Sequence, residues 1–222
     1  MGWNISDIHK FIDAVLIRKE RNAFITEAEK DTALDRGQID FFEEMFRDFG
    51  KTQAIHDALT PFKTPVNFNT THTPNGTITL KDDYMHYLGG YVTVYDNVNG
   101  AIRLPLQFIN EDELVFAMQS QVRKPSLLRP FAYNNNSTIQ LFPETPMSGA
   151  YSYLRRPAIP KYAFVQTGRT ITYDPANSVQ LEWNEAYLSN IIHKALVYLG
   201  VELNENDLVQ IGMIKEQQQK QQ

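Results

Sequence analysis

The apolar positions near the start of the chain follow the period of an α-helix. They are Ile8, Phe11, Ile12 and Val15. Ser6 comes just before them and is a suitable N-cap, because its hydroxyl can accept a hydrogen bond from a backbone N–H group of the first turn. The pattern ends in a charged run over residues 18–21. It predicts a first helix of about three turns.

A second helical pattern begins at Thr26. Thr26 and Glu29 have the spacing of a capping box, in which each side chain binds the backbone N–H group of the other residue. The pattern continues to Phe49, and Gly50 follows at a position where many helices end. The sequence therefore predicts a long helix between Thr26 and Gly50.

The apolar face of this long helix is wide. Its members are Leu34, Ile39, Phe41, Phe42, Met45, Phe46 and Phe49. They cover an arc of roughly 160°, whereas one core contact needs only about 100°. The helix is therefore predicted to contact two neighbours. Either both belong to its own chain, or the edge near Ile39 and Phe46 contacts another subunit.

The sequence Phe-Gly-Lys-Thr at residues 49–52 resembles the end of a phosphate-binding P-loop. A P-loop needs a further glycine five residues before its Gly-Lys pair, and that position is Met45. It also precedes a helix, whereas this stretch follows one. We interpret the stretch as the end of the long helix.

Residues 64–173 have a different character, because short runs of β-forming residues alternate with turn signals. Turn sequences at 74–76, 97–100 and 134–136 predict hairpins. Residues 110–119 have the pattern of a short capped helix. The sequence therefore predicts a β-rich middle region with one short helix inside it.

A further strand, within the sequence SGAYSYLRRP, is predicted to end at Pro157. Alternation along this strand puts Tyr151 and Tyr153 on one face. Two interpretations of Arg155 and Arg156 at its end stay open. They form a solvated strand end, or they bind a carboxylate on a partner, since a guanidinium can make two parallel hydrogen bonds to one.

A last helical pattern lies in the stretch that follows Asp174 and Pro175, and it ends at Gly200. Its apolar positions are Trp183, Tyr187, Leu188, Ile191, Ile192, Ala195 and Leu199. Residues 201–222 begin with another helical pattern near Asn204 and end in a polar, glutamine-rich run. This composition favours a mobile segment that becomes ordered only against a partner.

The composition is that of a globular protein, with 42% hydrophobic and 21% charged residues among 222. A net charge of −5 argues against a general nucleic-acid-binding surface. The absence of cysteine excludes disulfides and cysteine zinc sites. No signal-peptide pattern or apolar span is found, so the chain is expected to fold in the cytoplasm.

The sequence gives no strong sign of catalysis. Its five histidines are not spaced to bind one metal from a single element, and Asp82, Asp83 and His86 form only a weak metal candidate. There is no Gly-x-Ser-x-Gly nucleophile elbow. Gly89 and Gly90 precede a predicted strand, so they are not a dinucleotide loop. No catalytic, cofactor or metal residue is predicted, and we expect a protein that is not an enzyme.

Three stretches of the chain resemble the ring, or tail-adaptor, proteins of short-tailed, crAss-like bacteriophages. They are SDIHKFIDAVLIRKERNAFITEAEKDTALDRGQIDFFEEMF, YSYLRRPAIPKY and VQLEWNEAYLSNIIHKALVYLGVELNENDLVQIG. The resemblance implies a virion structural protein that joins portal to tail as a homo-oligomeric ring of about twelve copies. It also implies contacts with the portal and with other tail or ring proteins. Such a ring is assembled in the bacterial cytoplasm, needs no cofactor or membrane, and lets DNA pass without specific binding.

We therefore expect an α+β fold. Residues 1–63 form a helical part, 64–173 a β-rich middle, and 174–222 C-terminal helices that pack on the N-terminal helices and end in a flexible tail. The residues predicted at subunit or partner interfaces are Ile39, Phe46, Arg155, Arg156, Trp183 and Tyr187. The alternative is a carbohydrate- or small-molecule-binding domain of an enzyme, whose tyrosine- and asparagine-rich β region forms a pocket.

Overall fold

The computed structural model describes most of the chain. The described residues are 3–18, 25–70, 76–96, 100–135, 137–144, 147–168 and 170–200. They form a mixed α+β structure, so the predicted fold class is confirmed. The predicted C-terminal tail, residues 201–222, lies outside the described residues.

Helices occur towards both ends of the described chain, and most strands lie between them. The helices are α1 (Ile5–Arg18), α2 (Glu27–Arg47), α3 (Gln53–Leu59), α4 (Glu111–Gln119) and α5 (Glu185–Tyr198). The strands are β1 (Lys63–Asn69), β2 (Thr77–Thr79), β3 (Tyr84–Asp96), β4 (Gly100–Pro105), β5 (Gln107–Phe108), β6 (Phe131–Asn135), β7 (Thr138–Phe142), β8 (Ser148–Arg155), β9 (Phe164–Thr167) and β10 (Thr170–Tyr173). A short 3-10 turn, Thr60–Phe62, follows α3.

The chain divides into two compact units. The helical unit contains residues 1–61 and 157–222, and the β unit contains residues 62–156. The first division lies close to the predicted one after residue 63. The second comes after residue 156 instead of residue 173, because the base of the β9–β10 hairpin is bonded to α2 through Asp31 and Tyr162.

Side-chain caps set the start of α2 and of α3. The Thr26 hydroxyl accepts the Glu29 N–H at 3.3 Å, and the Glu29 carboxylate accepts the Thr26 N–H at 2.7 Å, which confirms the capping box. Beyond α2, Gly50 has a φ of 90°, and the Thr52 hydroxyl accepts the Ile55 N–H at 3.4 Å to begin α3. The Phe-Gly-Lys-Thr stretch thus connects two helices, as its interpretation as a helix end predicted.

The predicted N-cap of α1 was wrong by two residues. Asn4, and not Ser6, provides the cap, and its side-chain oxygen accepts the Asp7 N–H at 2.9 Å. Asparagine and serine cap helices about equally well, so the local sequence permits both. The earlier start brings Ile5 into the helix, where it is fully buried.

Helix α5 packs on α2, which confirms for this helix the predicted contact between the two ends of the chain. The closest approach is at Gly37, where an added Cβ would lie 2.8 Å from the Ile191 carbonyl oxygen and 2.9 Å from the Ala195 nitrogen. Trp183, immediately before α5, packs edge-on against Phe41 with 5.1 Å between the rings. The absence of a side chain at Gly37 therefore permits this close crossing.

Two four-stranded sheets form the β unit. One has the order β1-β8-β3-β4 and is antiparallel throughout. The other has the order β2-β7-β6-β5, in which only the β5–β6 pair is parallel. Side chains from both sheets share one core, whose buried members are Phe68, Ile78, Val92, Leu106, Ala132, Ile139, Leu141, Met147, Tyr151 and Tyr153.

Two of the three predicted hairpins are confirmed. Strands β3 and β4 pair across residues 97–99, and β6 pairs with β7 across residue 136. The third, around residues 74–76, was wrong: β2 pairs with β7, and β1 pairs with β8. A local turn signal cannot reveal that the partner strands lie much further along the chain. None of the described helices is both long and apolar enough to cross a bilayer.

Candidate interaction surfaces

The β9–β10 hairpin exposes apolar side chains in the helical unit. Its two antiparallel strands pair Phe164 with Tyr173 and Gln166 with Ile171, which puts these four side chains on one face. On this face Ile171 is 62% exposed and Phe164 is also exposed, whereas the exposed Val165 lies on the opposite face of the hairpin. A two-stranded hairpin alone is only marginally stable in water. We call this exposed face, with Phe164 and Ile171 at its centre, the hairpin surface.

The base of the hairpin is firmly held by Tyr162. Its ring stacks on Tyr173, with 5.2 Å between centroids, and on His9, with 4.8 Å. Its backbone N–H lies 3.0 Å from each carboxylate oxygen of Asp31 in α2. The Asp174 N–H also donates to the Ala163 carbonyl at 2.9 Å. The hairpin is therefore ordered at its base while its apolar residues face solvent.

A charged network lies next to Tyr162 and joins α1 to α2. Nδ1 of His9 is 2.5 Å from Glu27, and its Nε2 is 3.0 Å from Asp31. Nζ of Lys30 lies 2.5 Å from Asp13 and 3.1 Å from Glu27. His9 and Lys30 are almost completely buried. Because a carboxylate lies beside each ring nitrogen and both His9 and Lys30 are buried among these groups, we assign the network to structure, where it holds α1 on α2.

This network was missed in the sequence, although a signal was present. His9 lies between Ile5 and Ile12 on the buried stripe of α1, and Lys30 lies one turn before the buried Leu34 in α2. Polar residues at such positions need buried partners, because an unpaired charge in a core is costly. Because α1 and α2 each have one polar residue on the buried stripe, the pattern indicates that the polar groups of the two helices contact each other.

Removing one carboxylate from the network should reduce the acid sensitivity of the helical unit. Burial by itself raises the pKa of Glu27, but hydrogen bonds from His9 and Lys30 outweigh it and leave the pKa below its ordinary 4.5. The Glu27 carboxyl therefore binds its proton less tightly in the folded protein than in the unfolded one. Its contribution to the free energy of unfolding is complete above the pKa that it has in the unfolded protein, and this contribution is lost as the pH falls through its lower pKa in the folded protein.

The measurement is the urea midpoint of the helical unit at neutral pH and at about pH 3. Glu27→Gln should have a lower urea midpoint than the wild type at neutral pH. Between neutral pH and about pH 3, its midpoint should fall by less than that of the wild type. Glu185→Gln, which removes an exposed carboxylate in the first turn of α5, is the matched control. An acid-induced loss as large in Glu27→Gln as in the wild type would contradict the assignment.

The metal candidate at residues 82–86 has another role in the structure. The Tyr153 hydroxyl donates to the Asp83 carboxylate at 2.7 Å. Burial, together with this contact, raises the pKa of Tyr153 to about 12. Within the described residues, no group of three or more histidines and carboxylates could hold a metal ion. Asp83 therefore serves to satisfy a buried tyrosine.

An open groove of about 670 Å³ runs between α2 and α5 in the helical unit. Its polar lining is largely paired internally: Lys194 lies 2.9 Å from Glu44, and the Tyr198 hydroxyl donates to Asp40 at 2.6 Å. This hydrogen bond raises the pKa of Tyr198. A ligand in the groove would have to compete with these pairs for the same polar atoms.

A second apolar surface lies on α4 and the loop after it, in the β unit. Ala117 of α4 is buried in a small core with Phe131 and Phe142. Its neighbour Phe116 is 73% exposed, and Val122 in the following loop is 83% exposed. We call the surface the apolar–basic patch. Its members are Val115, Phe116, Met118, Val122, Leu127 and Leu128 with the exposed basic residues Arg123, Lys124 and Arg129.

The loop that carries part of this patch is held in place by hydrogen bonds. The Ser120 hydroxyl accepts the N–H groups of Val122 at 3.3 Å and Arg123 at 3.0 Å. Ser126 and Arg129 exchange two backbone hydrogen bonds, of 3.2 and 2.9 Å. The Arg129 guanidinium also donates to the Val122 carbonyl at 3.0 Å. Val122 is thus held in a defined loop with its side chain in solvent.

The sequence contains a signal for this patch, but the sequence analysis predicted only a short helix here and no exposed surface. Residues 114–118 are five consecutive apolar residues in a nine-residue helix. Successive residues of a helix point about 100° apart, so such a run cannot all face one core. Some of these side chains had to be exposed or bound by a partner.

Four of the six residues predicted at interfaces lie in the helical unit and two in the β unit. Ile39 and Phe46 are half-buried on α2, and Phe46 stacks on Phe49 with 6.1 Å between rings. Trp183 is only 6% exposed, and Tyr187 is half-buried with its ring 5.8 Å from Phe41. Contacts within the helical unit therefore account for most of the surface of Trp183.

The two predicted arginines lie at the end of β8 in the β unit. The Arg155 guanidinium lies 5.7 Å from the centre of the Phe62 ring and donates to the Arg156 carbonyl at 3.2 Å. The Arg156 side chain is exposed, and its backbone N–H donates to the Asp83 carbonyl at 2.7 Å. A role for either arginine in binding a partner stays a prediction.

The hairpin surface and the apolar–basic patch expose large apolar side chains, one in the helical unit and the other in the β unit. No protein-family model matches the chain, and a search of curated proteins finds no significant match. The function is therefore inferred from the residues and surfaces of the chain itself.

Proposed function

We propose that the protein is a structural subunit of a bacteriophage virion. In this proposal, copies of the chain form a ring of about twelve that joins the portal to the tail of a short-tailed, crAss-like phage and surrounds the DNA conduit. The observation that supports it best is the exposure of large apolar side chains on two separate, hydrogen-bonded structures, the hairpin surface and the apolar–basic patch.

Two different surfaces are what a ring subunit needs. In a closed ring the contacts are heterologous, so each copy uses one surface towards the preceding copy and another towards the next. Contiguous apolar patches are usually covered by partners, because monomeric proteins rarely leave them exposed. The hairpin surface belongs to the helical unit and the apolar–basic patch to the β unit, so the chain offers one such surface on each unit.

The overall charge suits a conduit for DNA. Proteins that hold DNA do so by neutralising phosphates with lysine and arginine and releasing counterions. A net charge of −5 supplies little of this attraction. DNA can then pass through a ring of such subunits without being retained. Contacts with the portal and with other tail proteins belong to the same proposal.

The alternative, a carbohydrate- or small-molecule-binding domain of an enzyme, is favoured by one observation. The groove between α2 and α5, which lies in the helical unit and not in the β region where the pocket was predicted, has tyrosine, histidine and carboxylate groups along its lining. Their internal pairing makes it the weaker candidate. A glycan array and a hydrolase screen on the purified chain test this function, and a clear hit would reverse the order of the two proposals.

The test of the ring is native mass spectrometry of the full chain over a range of concentrations, alone and mixed with its candidate portal protein. A closed oligomer near twelve copies, alone or on the portal, is the expected result. A chain that stays monomeric at every concentration and ignores the portal would contradict the proposal.

Ile171→Asp should weaken this assembly by about tenfold or more, because it puts a charge in the middle of an apolar contact. Ile171 is exposed, so the variant should fold normally. Thr170→Asp, next to it on the opposite face of β10, is the matched control and should assemble like the wild type. Equal assembly of the two variants would remove the hairpin surface from the interface.

A further inference from the structure

The apolar–basic patch has a chemistry that restricts its partner. Its apolar side chains lie on α4 and the loop after it, and the basic residues Arg123, Lys124 and Arg129 lie in the loop. The hydrogen bonds of Ser120 and Arg129 order this loop before any partner binds, which reduces the entropy cost of binding. A complementary segment has to be both apolar and acidic.

The chain itself contains a segment of this kind, at residues 201–214. Its acidic residues are Glu202, Glu205 and Asp207, and it has no lysine or arginine. Its apolar residues include Leu203, Leu208, Val209, Ile211 and Ile214. Three negative charges thus match the three basic residues of the patch.

We propose that residues 201–214 of one copy bind the apolar–basic patch of a second copy. This inference rests on the self-association in the proposed function and names one of its contacts. The described chain ends at Gly200, and fourteen extended residues reach about 45 Å, which is longer than a small domain is wide. The segment is therefore long enough to reach a neighbouring subunit. A contact of this kind is heterologous and so can be repeated around a ring.

The charges around the patch also indicate the direction of the bound segment. Glu111, Asp112 and Glu113 form the acidic first turn of α4, away from the basic loop in sequence. They repel Glu205 and Asp207, so the acidic part of the segment is placed over Arg123 and Lys124. Lys215, which follows the apolar residues, is then directed towards the acidic turn.

The same acidic turn argues against a lipid surface as the partner. Exposed apolar residues beside arginine and lysine also occur where proteins bind anionic membranes. Three carboxylates in the first turn of α4 would be repelled by such a surface. A second copy of the chain, which offers both signs of charge, is the better match.

The inference is tested by photo-crosslinking of the full chain. Phe116 is replaced by p-benzoylphenylalanine, which keeps the aromatic ring, and the labelled chain is mixed with an isotopically heavy wild-type chain. Mass spectrometry then identifies the attached residues. Cross-links from the labelled chain to residues 201–214 of the heavy chain are expected. Cross-links to any other region, only within one chain, or none at all would overturn the inference.

A charge exchange provides the second measurement. Arg123→Glu with Lys124→Glu should weaken self-association by about tenfold, and Glu205→Lys with Asp207→Lys should do the same. All four substitutions together should restore it, whereas Lys81→Glu, at another exposed site of the β unit, should have no effect. Failure of the combined variant to recover would overturn the inference.

The two proposals can fail separately. If native mass spectrometry shows a ring but no cross-link reaches residues 201–214, this contact is wrong and the ring stands. A chain that is monomeric under all conditions would contradict the ring as well. Co-sedimentation of the full chain with phosphatidylglycerol vesicles, lost in the Arg123→Glu and Lys124→Glu variant, would overturn the inference in favour of a lipid surface.

Discussion

Replacing Gly149 with alanine is expected to destabilise the β unit strongly. Gly149 lies in β8, between β1 and β3, and pairs with Phe68 on one side and Val92 on the other. An added Cβ would overlap the carbonyl oxygen of Tyr91 and lie 2.8 Å from the Phe68 ring. The strands cannot separate without losing ladder hydrogen bonds, so the free energy of unfolding should fall by about 3 kcal/mol or more.

Hydrogen exchange followed by mass spectrometry measures this effect in β1, β3 and β8. Gly89→Ala is the matched control, because an added Cβ at this strand glycine meets nothing within 4 Å. Both tryptophans, Trp3 and Trp183, lie in the helical unit, so their fluorescence reports whether that unit stays folded. If the backbone amides of β1, β3 and β8 were as well protected from exchange in Gly149→Ala as in Gly89→Ala, the prediction would be wrong, because β8 would then accommodate the added methyl group.

Trp183→Ala is expected to have the second large effect, a loss of about 3–5 kcal/mol in the free energy of unfolding of the helical unit. Trp183 is 6% exposed, and its ring packs edge-on against Phe41 at 5.1 Å and Phe42 at 6.3 Å. Alanine would leave a cavity where α5 meets α2. The rigid crossing at Gly37 limits how far the helices can close around it.

Urea unfolding followed by circular dichroism at 222 nm measures this loss. Val197→Ala removes an exposed apolar side chain from the same helix and should change the stability little. The experiment also separates two roles of Trp183. If the variant keeps its monomer stability but no longer assembles, the interface role predicted from the sequence is favoured over the core role seen in the structure.

Local signals along the chain predicted α1, α2, α4, α5 and several turns, but they did not predict α3. The Thr26 capping box was correct, and the start of α4 at Asn110 and the end of α5 before Gly200 also agree with the structure. The cap of α1 was wrong by two residues, because Asn4 and Ser6 are nearly equivalent caps. Burial of Ile5 in the helix favoured Asn4 as the cap.

The interface residues stay predictions, and the structure shows only where each side chain lies in its own unit. Both Phe46 and Trp183 were chosen because their helices have wide apolar faces, but Trp183 is buried inside the helical unit. The hairpin surface was counted within the β-rich middle, and the exposed run in α4 was not recognised as a surface. An apolar residue looks the same in sequence whether its own chain or a partner covers it.

The sequence by itself determined the fold class, the capped starts of α2 and α4, and the turns of two hairpins, because caps and turns depend on residues only a few positions apart. The tertiary structure alone decided that β2 pairs with β7, that the β9–β10 hairpin belongs to the helical unit, and that Phe116 is exposed while Ala117 is buried. These outcomes depend on contacts between residues that are far apart in the chain. Such contacts set the free energy of burying a side chain, and neither the residue type nor its neighbours in sequence reveal them.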